Sequence, residues 1–308
     1  MSVSCWVVKD LTRKRPTKSG GVQPLLGAHV STAGGVARAI DRASTIGCTA
    51  MQIFVKNNMQ WFAKPLDTAE VRAFCEHPRR DTLRSVFGHS GYLINLAARD
   101  PGFHELSMRS LREELTRADL LGLPFLVLHP GAHMGQGVEA GLEKVVASLD
   151  AIYGMIPKTK TRIALETTAG QGSSLGRTFE ELAFILSSCR ESERLCVCID
   201  TAHLFAAGYD LASNEGVART FAQFQRLIGL KRLAAIHLND SKAAAGSRVD
   251  RHEHIGKGKI GLQAFQYVMR EPRFRGIPKV IETPKGPDMA EDVVNLATLR
   301  SLMQGTSM

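Results

Sequence analysis

No apolar run in this 308-residue chain approaches the ~20 residues that a membrane-spanning helix needs. The hydrophobic Cys5–Val8 precedes a basic stretch, DLTRKRPTKSGG, which is the reverse of a signal peptide's order. The six cysteines (Cys5, Cys48, Cys75, Cys189, Cys196 and Cys198) form no CxxC pair, which excludes a zinc knuckle and a thioredoxin-like motif. Most of them are read as small buried hydrophobes in a reducing compartment. Cys196 and Cys198, in LCVCID, should share one face of a strand. The body contains no Pro/Ser-rich linker and no low-complexity tract. These absences predict a cytoplasmic protein with a basic, disordered extension at residues 1–23 and one domain over residues 24–308.

Apolar residues make up 44% of the chain and charged residues 22%, alongside 28 Gly and 12 Pro, an ordinary globular balance. Lys and Arg number 39 against 30 acidic residues, and the pI is about 9.4, which favours a polyanionic partner such as nucleic acid. The stretch from His237 to His254, HLNDSKAAAGSRVDRHEH, concentrates three histidines, three acidic residues and the cations Lys242, Arg248 and Arg251. Imidazoles with carboxylates form the ligand set of hydrolytic metal sites, and the cations suit a phosphate. Seen alone, it is equally a polar surface loop.

From Leu25 onward, short apolar runs alternate with stretches of helical periodicity. The runs cover 25–30, 50–55, 85–88, 125–128, 162–165, 195–199, 233–236 and 277–281. Helices are predicted near 34–46, 67–77, 102–121, 137–154, 178–189, 214–228, 261–270 and 288–303. Leu111, Leu115 and Ala118 show the three- and four-residue spacing of a one-sided stripe, as do Phe179, Leu182, Ala183 and Leu186. Eight strand–helix repeats imply parallel pairing and point to a closed (β/α)8 barrel (TIM barrel) ahead of an open doubly wound sheet.

Seven of the eight runs finish in or beside a histidine or a carboxylate: His29, His89, His129, Glu166, Asp200, His237 and Glu282. Barrel enzymes build their sites at that end of the strands. A single strand-end histidine is usually structural, but so many ionisable groups brought together need compensation, which divalent cations supply. The set exceeds what one tetrahedral zinc requires. With His203, Asp250 and His252 it suggests two or three metal ions. Met59 and Trp61, and Tyr92 and Leu93, sit on loops beside cations, as duplex-unstacking wedges do; packing against the barrel rim is the bland alternative. The loop TAGQGSS (168–174) could offer backbone N–H groups to a phosphate, though it matches no strict phosphate-loop pattern.

From about Leu26 to Thr298 the chain resembles the endonuclease IV family, the zinc-dependent apurinic/apyrimidinic endonucleases of base-excision repair. The blocks GAHVSTAGG, KNNMQW, HSGYLINL, LHPGAH, LETTAGQGSSLG, CIDTAHLFAAGYD, HLNDSK and GSRVDRHEHIGKGKIG carry the resemblance, with the terminal IET. It implies three Zn2+ per chain, with Mn2+ possible at one site. His89, His129 and Glu166 match the ligands of the first. Glu166 would bridge to the second, with Asp200, His237 and Glu282, and His203, Asp250 and His252 match the third. It further implies a monomer that uses a metal-activated hydroxide to cleave duplex DNA 5′ to abasic sites. Cleavage would leave a 3′-OH and a 5′-deoxyribose phosphate, and blocked 3′ ends would also be trimmed. Glu166 would be the catalytic bridging residue. Tyr92 and Leu93 match minor-groove contacts; Met59 stands where the family often has arginine, Ala202 where cysteine is common and Thr167 where asparagine is common. Arg248 and Arg251, alternating with the ligands of an extended segment, should face DNA phosphate or solvent. His29 and His254 match no ligand.

Two other functions fit parts of the pattern. Sugar isomerases of the xylose-isomerase type share barrel and metal but use few histidines. A DNA-binding protein without turnover would not need the whole ligand set.

Overall fold

The computed structural model describes Cys5 and residues 23–303. The eight expected strands form a closed, all-parallel barrel: β1 (Leu26–His29), β2 (Ala50–Phe54), β3 (Ser85–His89), β4 (Phe125–Leu128), β5 (Arg162–Glu166), β6 (Leu195–Asp200), β7 (Leu233–His237) and β10 (Lys279–Ile281). Sequence neighbours pair in order, and β10 closes the ring between β7 and β1. A two-stranded antiparallel ribbon, β8 (Asp240–Ser241) and β9 (His252–Glu253), lies in the loop after β7.

The helices are α1 (Val36–Thr45), α2 (Thr68–Cys75), α3 (Pro101–Leu120), α4 (Val138–Met155), α5 (Phe179–Ser188), α6 (Thr201–Ala207), α7 (Asn214–Leu227), α8 (Leu262–Arg270) and α9 (Ala290–Ser301). Their starts follow local chemistry. Asp67 and Glu70 form a capping box on α2, Asp100 caps α3 with Pro101 in its first turn, and Thr178 and Ser213 cap α5 and α7. Only α6 went unforeseen, because seven residues are too few to show a stripe. β10 begins two residues later than expected, since Pro278 has no N–H to donate to a ladder.

Alternation divides the core. Along β2, Ala50 joins the barrel interior while Met51 and Ile53 pack outward against the helix layer. The lumen is tightly filled, with Phe87 stacked on Phe125 at 4.7 Å beside small residues such as Ala164, Cys196, Cys198 and Ala235. Cys196 and Cys198 thus share a face as expected. Gly27 is obligatory where β1 meets β2, because a Cβ there would lie 1.7 Å from the Ala50 carbonyl oxygen.

Two cysteines depart from the expectation. Cys5 is buried and forms a disulfide with Cys75, 70 residues away, with their Cα atoms 5.5 Å apart, whereas Cys48, Cys189, Cys196 and Cys198 are free and buried. A contact between chain segments so far apart leaves no local trace in the sequence. The rest of the expected N-terminal extension up to residue 22 lies outside the described residues. Among the described residues, no helix is long and apolar enough to cross a membrane.

Candidate metal centre

The barrel brings all nine candidate ligands to the C-terminal ends of its strands. Glu166, ending β5, is wholly buried at the middle. Its Oε2 lies 3.1 Å from His89 Nε2 and 2.9 Å from His129 Nε2, and its Oε1 lies 2.8 Å from His237 Nδ1 and 3.4 Å from His203 Nδ1. His237 Nδ1 is also 3.2 Å from Glu282 and 3.8 Å from Asp200. On the far side, Asp250 stands 3.1 Å from His203 and 3.3 Å from His252.

Three groups have ligand atoms within 4.8 Å of one another: His89, His129 and Glu166; Glu166, Asp200, His237 and Glu282; and Asp200, His203 and His252. The first two match the expected sets. In the third, Asp200 takes the place expected of Asp250. Asp250 stands beside that group, with one carboxylate oxygen on each histidine, whereas Asp200 is 3.7 Å from His252.

Local structure aims these groups. Asp200 ends β6 and caps α6, accepting a hydrogen bond from the backbone N–H of His203 at 2.9 Å, so one cap places two candidate ligands. In four histidines one ring nitrogen is engaged by a carbonyl or amide oxygen. His89 Nδ1 meets the Ser90 carbonyl at 2.7 Å, His203 Nδ1 the Thr167 carbonyl at 2.8 Å and His252 Nδ1 the Glu282 carbonyl at 3.3 Å. His237 is turned the other way, with Nε2 against Gln52 Oε1 at 2.7 Å. Each arrangement leaves the opposite nitrogen facing the centre. Asn239, fully buried, donates to Asp200 at 2.7 Å and accepts the backbone N–H of Glu282 at 2.7 Å.

The electrostatics are those of compensated charges. Burial opposes ionisation of Glu166 and Glu282, yet the surrounding histidines, His237 foremost, hold both carboxyls well below the usual range. Asp250 is likewise pulled down to about 2 against burial by the hydrogen bond and charge of His203. Burial disfavours charge on His203 and His237, but Asp200, Asp250 and Glu166 around the first, and Cys198, Glu282 and Glu166 around the second, raise both well above an ordinary histidine.

A cavity of about 1190 Å3 opens beside this centre, where His129, His203 and Asp250 reach its wall. Tyr92, Leu93, Gln171 and Arg251 also line it. Tyr92 is exposed, with its ring edge-on to Phe54 and 6.0 Å from that of His89. Gln171, from the Gly-rich loop, accepts the backbone N–H of Asp250 at 3.0 Å, tying the two loops together. Met59 and Arg248 are exposed but are not part of that wall. The extended path expected at Arg248 is absent: its φ of 56° is left-handed, with its N–H bound to the Ala206 carbonyl, so simple alternation does not orient it. Trp61 packs edge-on against Phe103 at 5.2 Å, the local-packing alternative. His29 lies against Glu282 at 3.4 Å, and His254 against Asn295 at 3.1 Å.

Sequence reasoning passed over three supports. Gln52 and Asn239 read as ordinary polar residues in a strand and a loop. Lys56 and Glu114 form a fully buried ion pair at 2.8 Å, and Glu114 also accepts the Gly91 N–H at 3.0 Å, so α3 grips the loops that carry Met59 and Tyr92. The only available signal was a polar residue in an apolar stretch: Gln52 within AMQIF and Glu114 beside the stripe of α3.

A family model described as a xylose isomerase-like TIM barrel matches residues 40–301. The probable endonuclease 4 of Chloroflexus aurantiacus is 49% identical over 282 residues, covering 92% of this chain and 99% of that protein. The chain belongs to the endonuclease IV family. As a member it is a nuclease, a hydrolase. The probable endonuclease 4 of Geobacter sulfurreducens is 46% identical over 279 residues, 91% of this chain and 94% of that one. The crystal structure of endonuclease IV from Thermus thermophilus superposes with a TM-score of 0.79 at 37% identity, over 91% of this chain and 99% of that one. A D-tagatose 3-epimerase-like protein reaches 0.66 at 19% identity over 90% and 97%, a likeness of fold alone.

Proposed function

We propose that this endonuclease IV family member is a zinc-dependent apurinic/apyrimidinic endonuclease of DNA repair. It hydrolyses the phosphodiester 5′ to an abasic site in duplex DNA, leaves a 3′-OH and a 5′-deoxyribose phosphate, and removes phosphate or phosphoglycolate from blocked 3′ ends. It acts as a monomer in the cytoplasm, at the nucleoid, through a domain spanning residues 24–308. The observation that carries this reading is the convergence of four histidines on the buried Glu166 carboxylate, with Asp200, Asp250, His252 and Glu282 around them.

The donor set fits zinc. It combines imidazoles with carboxylates, and the buried His252 Nε2 faces Asp250 at 3.3 Å without forming an aligned hydrogen bond, as an unused ligand atom would. His89, His129 and Glu166 would hold one ion, Glu166, Asp200, His237 and Glu282 a second, and His203, Asp250 and His252 a third; manganese is an alternative occupant at one position. Bound there, zinc would supply a water of near-neutral pKa and positive charge to offset that on the phosphoryl oxygens. Glu166, the catalytic residue, is common to the first two groups and would orient the attacking water. Tyr92 and Leu93 enter the minor groove beside the extruded abasic sugar, whose missing base makes extrusion cheap. Arg248, Arg251 and Met59 flank the duplex. Only three of the nine ligands reach the cavity wall, which supports a phosphate docking on a mostly buried centre.

The test is a duplex with one abasic analogue, incubated with zinc-replete protein with and without a strong chelator. A chelator-sensitive nick 5′ to the analogue is expected. No nick, or interconversion of an aldose and a ketose instead, sinks the reading.

A further inference from the structure

Among the barrel strands, β2 alone brings neither a histidine nor a carboxylate to its C-terminal end, where Phe54 stands. Two residues earlier, on the same lumen-facing side, it carries Gln52, which is fully buried. The side-chain amide has one acceptor and two donor hydrogens, and all are engaged. Oε1 meets His237 Nε2 at 2.7 Å, while Nε2 donates to Glu282 Oε1 at 2.6 Å and contacts His29 Nδ1 at 2.8 Å. The three partners come from β7, the residue after β10, and β1. One amide therefore ties together chain segments up to 253 residues apart.

We propose that Gln52 is a positioning residue for the metal centre, one whose amide orients the His237 ring and the Glu282 carboxylate together. The inference rests on the metal reading above. An acceptor at Oε1 matches a His237 ring protonated at Nε2, which leaves the Nδ1 lone pair directed at the space between Glu166, Asp200 and Glu282. The donor at Nε2 holds one Glu282 oxygen and leaves Oε2 facing His237 Nδ1 at 3.2 Å. Glutamate would set a second carboxylate against Glu282, methionine offers neither group, and asparagine keeps the chemistry but is one methylene short of the span.

The experiment measures zinc alone. Full-length wild type, Gln52→Met and Gln52→Asn are stripped with chelator, checked for folding by circular dichroism, and titrated with Zn2+ against a chromophoric competitor. Loss of an outer hydrogen-bond partner of a metal ligand weakens binding by about 10- to 100-fold. That loss is expected in both variants for one ion per chain, with the others bound as in wild type, a selectivity that a general packing defect would not give. Wild-type zinc affinity in either folded variant, or a loss shared equally by every ion, overturns the inference. Failure of both variants to fold overturns it too, since Gln52 is then a structural residue. A wild type that binds no zinc overturns the metal reading and this inference together; a zinc-binding wild type matched by its variants overturns this inference alone.

Discussion

Replacing Glu166 by glutamine keeps the shape of the side chain and removes its charge. Both carboxylate oxygens are in use, each within 3.4 Å of two histidine nitrogens, and no part of the residue is exposed. An amide turns one of those acceptors into a donor aimed at imidazole nitrogens, and it leaves two of the three ligand groups without their shared anion. Removing a single preorganised contact to developing charge costs about 10²- to 10³-fold in rate. A residue that serves two groups belongs at the upper end, on the order of 10³-fold, which corresponds to about 4 kcal/mol of barrier. Duplex affinity should change little, because Glu166 is not part of the cavity wall. The assay pairs single-turnover nicking of an abasic duplex with equilibrium binding to the same duplex and metal counted per chain. Nicking at the wild-type rate with a full metal complement would refute the bridging assignment. Loss of duplex binding in parallel with cleavage would refute the separation of chemistry from recognition.

Two further outcomes follow from buried charge. In chelator-stripped protein, His203 and His237 have raised folded pKa values, so their stabilisation is fully present below about pH 6.5 and fades as pH rises through those folded values. Glu166, Glu282 and Asp250 have lowered values, so theirs is present above about pH 4.5 and is lost as pH falls through them. Urea midpoints of stripped protein should therefore peak between about pH 4.5 and 6.5, whereas zinc loading should rise with pH as protons leave the histidines; a stability maximum near pH 8 would contradict this. Glu114→Gln leaves Lys56 charged and buried without its partner. It should cost about 3–5 kcal/mol in urea unfolding, and an unchanged midpoint would remove Glu114 as the clamp on the Tyr92 loop.

Much of the barrel was legible because its signals are local. β4 falls at the expected residues, Phe125–Leu128, because four apolar residues followed by His129-Pro130 bound a strand at both ends. Two of the helices announce themselves by a cap that precedes a stripe, at Asp100 and Thr178. Strand ends carry the candidate ligands because parallel strands all finish at one face of a closed barrel, so residues scattered over nearly two hundred positions could be assigned to one site from sequence alone.

Other features depended on lateral contacts, and a linear pattern does not encode which strands lie side by side at which height. Gln52 looked like one polar residue in an apolar strand until closure of the ring set β2 near β7 and β10. Lys56 and Glu114 were two surface-type charges until α3 folded across the loop after β2. Arg248 was assigned a face by alternation, but its left-handed backbone broke the alternation. Cys5 and Cys75 were two separate thiols before the fold joined them. The sequence by itself therefore determined the architecture, written in local periodicity, and put six candidate ligands at strand endings, while the family resemblance selected those six and grouped His203, Asp250 and His252 with them. Only the tertiary structure decided how those ligands are aimed, because aim depends on hydrogen bonds between segments that meet only when the barrel closes.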